Sequence, residues 1–266
     1  MKYLLSIALS VFIAVNALST AQIPEKINDN GIEKSLTTCL LELDSVSFSL
    51  LKERIPKQMT STALWRNYIG HWKIKNDSLF LDSVLVMDTA CDTFRFVPAK
   101  IDDIYSSRRT PSGYFADWVT DSLRIVSGDM IKYVHMGWNS EWKTEEFITV
   151  EGGVIKKRVQ YNNRVVNPVK NDNSTFKKLI DSLNLGYVPG AITLSLKYTG
   201  FGENGTPTGY KVEIMRSSGD TAVDNKAMRA MSDLKVLQSI LPVYYIQGQY
   251  KSPERTFKIP KSPETR

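Results

Sequence analysis

Ile192-Thr193-Leu194-Ser195-Leu196-Lys197-Tyr198 alternates apolar and polar residues almost without a break. In an extended chain Ile192, Leu194, Leu196 and Tyr198 share one face, so the spacing predicts a strand buried on one side. Tyr210-Lys211-Val212-Glu213-Ile214 repeats the pattern. The loop between them, Gly200-Phe201-Gly202-Glu203-Asn204-Gly205, is rich in glycine, which predicts antiparallel pairing. Arg216-Ser217-Ser218-Gly219-Asp220 then turns the chain into a helix, with Val223, Ala227, Ala230, Met231, Leu234 and Leu237 along one face. Thr221-Ala222-Val223-Asp224 resembles a capping box, and Asp224 lies in the first turn, where the helix dipole favours a carboxylate. A third strand over Arg255–Ile259 completes a small α+β unit.

Upstream, Asn167-Pro168-Val169-Lys170-Asn171-Asp172-Asn173 is polar and reads as a boundary, with one domain over 22–166 and a second over 174–266. Ser174 is placed to cap a short helix carrying Phe176, Leu179, Ile180 and Leu183, closed by Gly186 and Pro189-Gly190. Residues 22–34 are polar and read as a loose start. Leu36, Cys39, Leu40 and Leu43 recur at three- and four-residue steps, which predicts a helix over Lys34–Arg54 ending at Pro56.

From Leu64 to Val166 short alternating runs flank turn signals. Hairpins are predicted at Asn76-Asp77-Ser78, at Ser127-Gly128-Asp129 and at Glu151-Gly152-Gly153. Tyr68-Ile69…Trp72 and Tyr114-Phe115…Trp118 make a faint repeat at an offset of about 45 residues, read as similar hairpin packing. The predicted fold class is therefore α+β: an N-terminal helix with an antiparallel β-meander, then the small helix-on-sheet unit.

The first residues bear on location. Lys2 precedes an apolar run from Leu4 to Leu18, and Ser19-Thr20-Ala21 supplies small residues. This predicts a secretory signal over 1–21, cleaved after Ala21, with no membrane-spanning helix retained. An uncleaved anchor is the alternative. The formal net charge is +6 with Lys and Arg dispersed, and no basic run supports nucleic-acid binding. Cys39 and Cys91 either pair in an oxidising compartment or stay as buried thiols.

Several motifs invite chemistry. Ser174-Thr175-Phe176-Lys177 and Ser49-Leu50-Leu51-Lys52 both match S-x-x-K, but no Ser-Asp-Asn or Lys-Thr-Gly follows either. Gly200 to Gly205 matches G-x-G-x-x-G, yet a strand rather than a helix follows it, so it reads as a turn. His71 and His135 have no partner at ligand spacing. Asp102-Asp103 and Glu145-Glu146 are adjacent and so face opposite sides of an extended chain. The five Trp (65, 72, 118, 138 and 142) read as packing residues, with a ligand groove as the alternative. No catalytic, cofactor-binding or metal-ligating residue is assigned.

One resemblance reaches further. The strand-turn-strand, the Arg216-Ser217-Ser218-Gly219-Asp220 corner, and Val223-Asp224 with Lys226-Ala227 resemble the C-terminal domain of TonB-type energy transducers. The resemblance spans about 70 to 90 residues, on the scale of a small domain. It implies a periplasmic module that binds an extended segment of an outer-membrane receptor by strand addition. The Pro-rich linker of such transducers is replaced here by the β-rich region. The expected function is thus an exported, non-enzymatic binding protein whose partner is an outer-membrane receptor or another envelope protein. The alternatives are an envelope structural protein without a peptide ligand, and a glycan or peptide hydrolase with its site in the β-rich region.

Overall fold

In the computed structural model, residues 21–57, 61–88, 95–168, 180–232 and 240–263 are described. Among them 49% are strand and 15% helix, which overturns the α+β class. The strands in chain order are β1 (Glu25–Asp29), β2 (Ile32–Leu36), β3 (Tyr68–Lys75), β4 (Ser78–Met87), β5 (Phe96–Pro98), β6 (Arg109–Thr110), β7 (Gly113–Phe115), β8 (Asp121–Lys132), β9 (Glu141–Glu151), β10 (Val154–Asn162) and β11 (Arg164–Asn167). They continue as β12 (Ile192–Phe201), β13 (Pro207–Arg216), β14 (Val243–Ile246), β15 (Gln249–Lys251) and β16 (Arg255–Ile259). The two principal helices are short, α1 (Ser45–Lys52) and α2 (Thr221–Ser232).

The predicted N-terminal helix is corrected. Lys34–Leu36 belongs to β2, Leu40–Leu43 is a 3-10 turn, and only Ser45–Lys52 is α-helical. The three- and four-residue spacing from Leu36 to Leu43 spans a strand end and a 3-10 turn. Leu43, one of the residues at those steps, is exposed. The polar start is corrected too. β1 and β2 form a hairpin about Asn30-Gly31, both at positive φ, the usual chemistry of a two-residue turn.

Nor is the large sheet a simple antiparallel meander. Its order is β10-β9-β8-β2-β1-β3-β4-β7-β6, with β1 and β3 parallel. β4 also meets β10 through Val154 and Ser78. Leu79 N donates to Gly153 O at 2.8 Å, and Ile155 N to Asp77 O at 2.8 Å. These contacts close β10, β9, β8, β2, β1, β3 and β4 into a ring. The outer edge of β4 is used in succession by β10, β7 and β5, so closure leaves little of it open. Ile27, Leu36, Trp72, Leu81, Leu123, Ile125, Ile148 and Val150 fill the core.

The hairpins at Asn76-Asp77 and at Gly152-Gly153 connect β3 to β4 and β9 to β10. The one predicted at Ser127-Gly128-Asp129 is not a turn. β8 runs through it and pairs with β9, with a register shift between Ser127 and Met130. Gly128 adopts φ 75 there, so the glycine that reads as a turn marks a bulge. The Tyr/Trp repeat is not structural either: Tyr68–Trp72 lies within β3, whereas Trp118 follows the three-residue β7. The two tryptophans still meet, at 6.1 Å between ring centroids.

Beyond the ring, β12 and β13 pair as an antiparallel hairpin and β16 takes the other side of β12. Ile192, Leu194, Leu196, Ala227, Met231, Phe257 and Ile259 make a second core under α2. Asp220, rather than Thr221, caps α2, since its Oδ1 accepts from Ala222 N at 2.8 Å and Val223 N at 3.2 Å. Asp224 turns back instead and accepts from Ser218 N at 2.9 Å and Ser217 Oγ at 2.5 Å, fixing the corner before the helix. β11 pairs with β14 in a small sheet β11-β14-β15. The chain therefore passes from ring to second core at Asn163, which β11 follows directly. The signal segment, Cys91, the S-x-x-K at Ser174 and most of the helix after it lie outside the described residues. Among the described residues no helix is long and apolar enough to cross a membrane.

Candidate functional site

β1 places three side chains on the inner face: Glu25, Ile27 and Asp29, all buried. The pairing register extends that face. Lys34 lies opposite Ile27, Glu146 opposite Ile125, and Arg158 opposite Ile148. Residues directly opposite in a ladder share a face, so all three charges point inward with Asp29. They form a closed alternation. Lys34 Nζ lies 3.1 Å from Asp29 Oδ2 and 3.0 Å from Glu146 Oε2, and Arg158 Nη1 lies 2.9 Å from Asp29 Oδ2 and 3.0 Å from Glu146 Oε1. Burial works against the Asp29 charge, but the bonds from Lys34 and Arg158 hold its carboxyl below the usual range. Two cations meet two anions here, and Arg158, which stays partly open to solvent, also reaches Asp77 at 3.9 Å.

The other end of β1 is different. Glu25 is fully buried, and its Oε2 accepts from Trp72 Nε1 at 2.6 Å. Its Oε1 has no hydrogen-bond partner. Burial raises its pKa from 4.5 to about 7, against the opposing pull of Arg66 and the Trp72 bond. Gly70 makes room for this pair: a Cβ there would lie 2.7 Å from Trp72 Nε1 and 2.8 Å from Glu25 Oε2. Close by, burial pushes the Cys39 thiol up to about 12.

Outside this end, α1 and the entry to β3 form an open pocket of about 360 Å³ lined by Phe48, Ile55, Pro56, Trp65, Arg66 and Tyr68, with Glu42, Lys52 and Lys57 around it. Asp44 caps α1 through Ser47 N at 3.2 Å and also holds Arg108 at 2.6 Å, which fixes the wall that α1 supplies. Phe48 packs edge-on to Tyr68 at 5.8 Å. Arg66 is 5% exposed. Its Nη2 donates to Ile23 O at 2.8 Å, and its guanidinium lies over the rings of Tyr68 and Trp138, at 5.4 and 5.5 Å. Its Nε and Nη1 have no partner.

The motifs flagged in the sequence are scattered. Ser49 Oγ donates to Ser45 O within α1 while Lys52 lies over Phe48, so the S-x-x-K there is not a catalytic pair. Gly200 and Phe201 end β12, and Gly202 to Gly205 lie in the turn to β13, tied by Gly202 N to Thr206 O. His71 lies in β3, its pKa lowered by burial, and His135 follows β8 with Tyr133 OH 2.7 Å from its Nδ1. Asp102 bonds Arg109 and Tyr114, while Asp103 bonds Arg54. Glu146 joins the inner charge ring, whereas Glu145 lies on the opposite face of β9 and is also fully buried. There it accepts from Arg124 at 2.5 Å and from Gln247 Nε2 at 2.9 Å, linking the ring to the β14–β15 turn. Among the described residues no cluster of His, Cys, Asp or Glu could hold a metal.

Sequence reading missed the Arg66 and Glu25 cluster entirely. The available signal was Asn30-Gly31, which marks a hairpin and so makes Glu25, Ile27 and Asp29 one face of a strand. The second candidate surface is the edge of the sheet β13-β12-β16. β13 pairs with β12 from Phe201↔Pro207 to Thr193↔Arg216, and among the described residues no strand pairs with its other side. Beyond β16, the chain is tied at Ser262 N to Val188 O.

No family model, no curated protein and no solved structure matches this chain.

Proposed function

We propose that this chain is an exported, non-enzymatic binding protein of the cell envelope, and that β13 captures an extended segment of an outer-membrane receptor or another envelope protein by strand addition. One observation carries the proposal: a ten-residue strand laddered on one side only among the described residues. Such an edge offers main-chain donors and acceptors at every second residue, which is the currency of strand addition. The Arg216–Asp220 corner and its resemblance to TonB-type transducers point to the same mode, as does the signal-like start.

The edge carries guards. Lys211, Glu213 and Arg216 are charged, and the β12–β13 register shifts at three places. These features disfavour indiscriminate edge pairing, so a partner needs matching charges as well as an extended backbone.

The test is affinity capture from an envelope extract, followed by hydrogen exchange on the recovered complex. Recovery of an outer-membrane receptor or another envelope protein, with slowed exchange along Pro207–Arg216, is expected. Absence of any such partner, or protection confined to other strands, favours a structural envelope role and removes the strand-capture reading.

A further inference from the structure

We propose that β13 pairs antiparallel with β13 of a second copy of this chain, in the register that sets Val212 against its own counterpart. Two sheets of order β13-β12-β16 then join edge to edge. Self-pairing occupies the edge that strand capture uses, so the dimer is the closed form of that site. This last point rests on the strand-capture reading; the dimer itself rests only on the open edge.

The edge restricts the register. In an antiparallel ladder every second residue turns its main-chain N–H and C=O outward. Two copies of one strand related by a two-fold axis therefore pair about a residue, not about the link between two residues. Between Tyr210 and Ile214 the ladder to β12 runs without a register shift, so this is the stretch whose outer edge is regular. Lys211, Val212 and Glu213 are the centres that fall inside it.

Charge chooses among the three. Val212 belongs to the second core, with Tyr210 and Ile214 packed against it. Lys211 and Glu213 alternate with these on the other face of the strand, their side chains more than half exposed, with Lys211 Nζ 2.5 Å from Glu213 Oε1. Centring on Lys211 sets lysine against lysine, and centring on Glu213 sets glutamate against glutamate. Like charges directly opposite one another destabilise a ladder. Centring on Val212 sets Lys211 of each copy against Glu213 of the other, and the charges alternate. The same register lays the half-buried Tyr210 against Ile214 of the second copy, with the two Val212 side chains between. The charges that guard this edge against unrelated strands thus match a second copy of the chain itself. So short a paired stretch buries less than the roughly 1,200 Å² of a stable interface, which makes the dimer weak, concentration-dependent and sensitive to salt.

Sedimentation velocity of the purified full chain, from about 5 to about 500 µM, tests this. A reversible monomer–dimer equilibrium that weakens with added salt is expected. Lys211→Glu alone brings only carboxylates together at the crossing, and Glu213→Lys alone brings only ammonium groups. Each should weaken the dimer at least about tenfold. An equimolar mixture of the two variants should associate again, because the lysines of one chain meet the glutamates of the other. The double variant, K211E with E213K in one chain, should dimerise as the parent does. Hydrogen exchange on the parent, which needs no variant, should slow along Tyr210–Ile214 as concentration rises. A chain that stays monomeric across the range overturns the proposal. So does a dimer that both single reversals leave intact, a mixture no tighter than either variant alone, or exchange at Tyr210–Ile214 that ignores concentration. The purified chain has no other partner, so a monomeric result removes self-pairing and leaves strand capture standing. An empty capture from envelope extract does the reverse.

Discussion

Replacing Glu25 with Gln should change how stability depends on pH rather than simply lower it. Glu25 is fully buried, with its pKa raised by burial from 4.5 to about 7. Between those two pH values the folded chain holds a proton that the unfolded chain releases. Stability must therefore fall as pH rises through this window, because the unfolded state binds fewer protons. The gap, at about 1.4 kcal/mol per pH unit, gives a cost of about 3 kcal/mol above pH 8. Below pH 4.5 the cost is absent. Gln keeps an oxygen for Trp72 Nε1 and never ionises, so Glu25→Gln should match the native chain most closely near pH 5 and exceed it by about 3 kcal/mol near pH 8.5. In thermal unfolding that is a difference of roughly 6–12 °C for a chain of this size. Urea melts of both proteins at half-unit steps from pH 5 to 8.5 measure it directly. Taking the difference between the two proteins cancels the other titrating groups, including Asp29, whose contribution is lost only at acid pH. Parallel stability curves across that range would refute the assignment of a buried, proton-holding carboxyl to Glu25.

Three further outcomes follow from named contacts. Asp29→Ala leaves Lys34 and Arg158 facing each other with Glu146 alone, and equilibrium unfolding should show a loss of about 1–3 kcal/mol, reduced by the partial solvent exposure of both cations. Gly70→Ala puts a methyl group within 3 Å of both members of the Glu25–Trp72 bond, so it should cost about 1–3 kcal/mol and perturb the Trp near-ultraviolet signal. Asp224→Ala releases Ser217 and Ser218 from the corner before α2. A loss of about 1–3 kcal/mol is expected, with faster hydrogen exchange at Ser218 than in the parent.

Parts of the fold were legible because their information is local. Strict alternation in Ile192–Tyr198 and Tyr210–Ile214 specifies two half-buried strands, and the glycine loop between them leaves room for little but a turn. Asn76-Asp77 and Gly152-Gly153 announce hairpins for the same reason. Gly128 misled because positive φ serves both a turn and a bulge, and the choice lies with the partner strand β9. The leucines of 36–43 misled because a strand end followed by a 3-10 turn can imitate a single helical period.

The Glu25 end of the ring was illegible for a different reason. Glu25 and Asp29 read as surface, whereas ring closure turns them inward and supplies Trp72 and Arg158 from remote positions to meet them. What the sequence by itself determined is where strands and turns form over short spans, and a resemblance carried by the corner at Arg216–Asp220. What only the tertiary structure decided is that seven strands close, that Glu25 and Asp29 face a core, and that Arg66 is buried with nitrogens unpaired. Burial and electrostatic pairing depend on the register of distant strands, and no local spacing records that register.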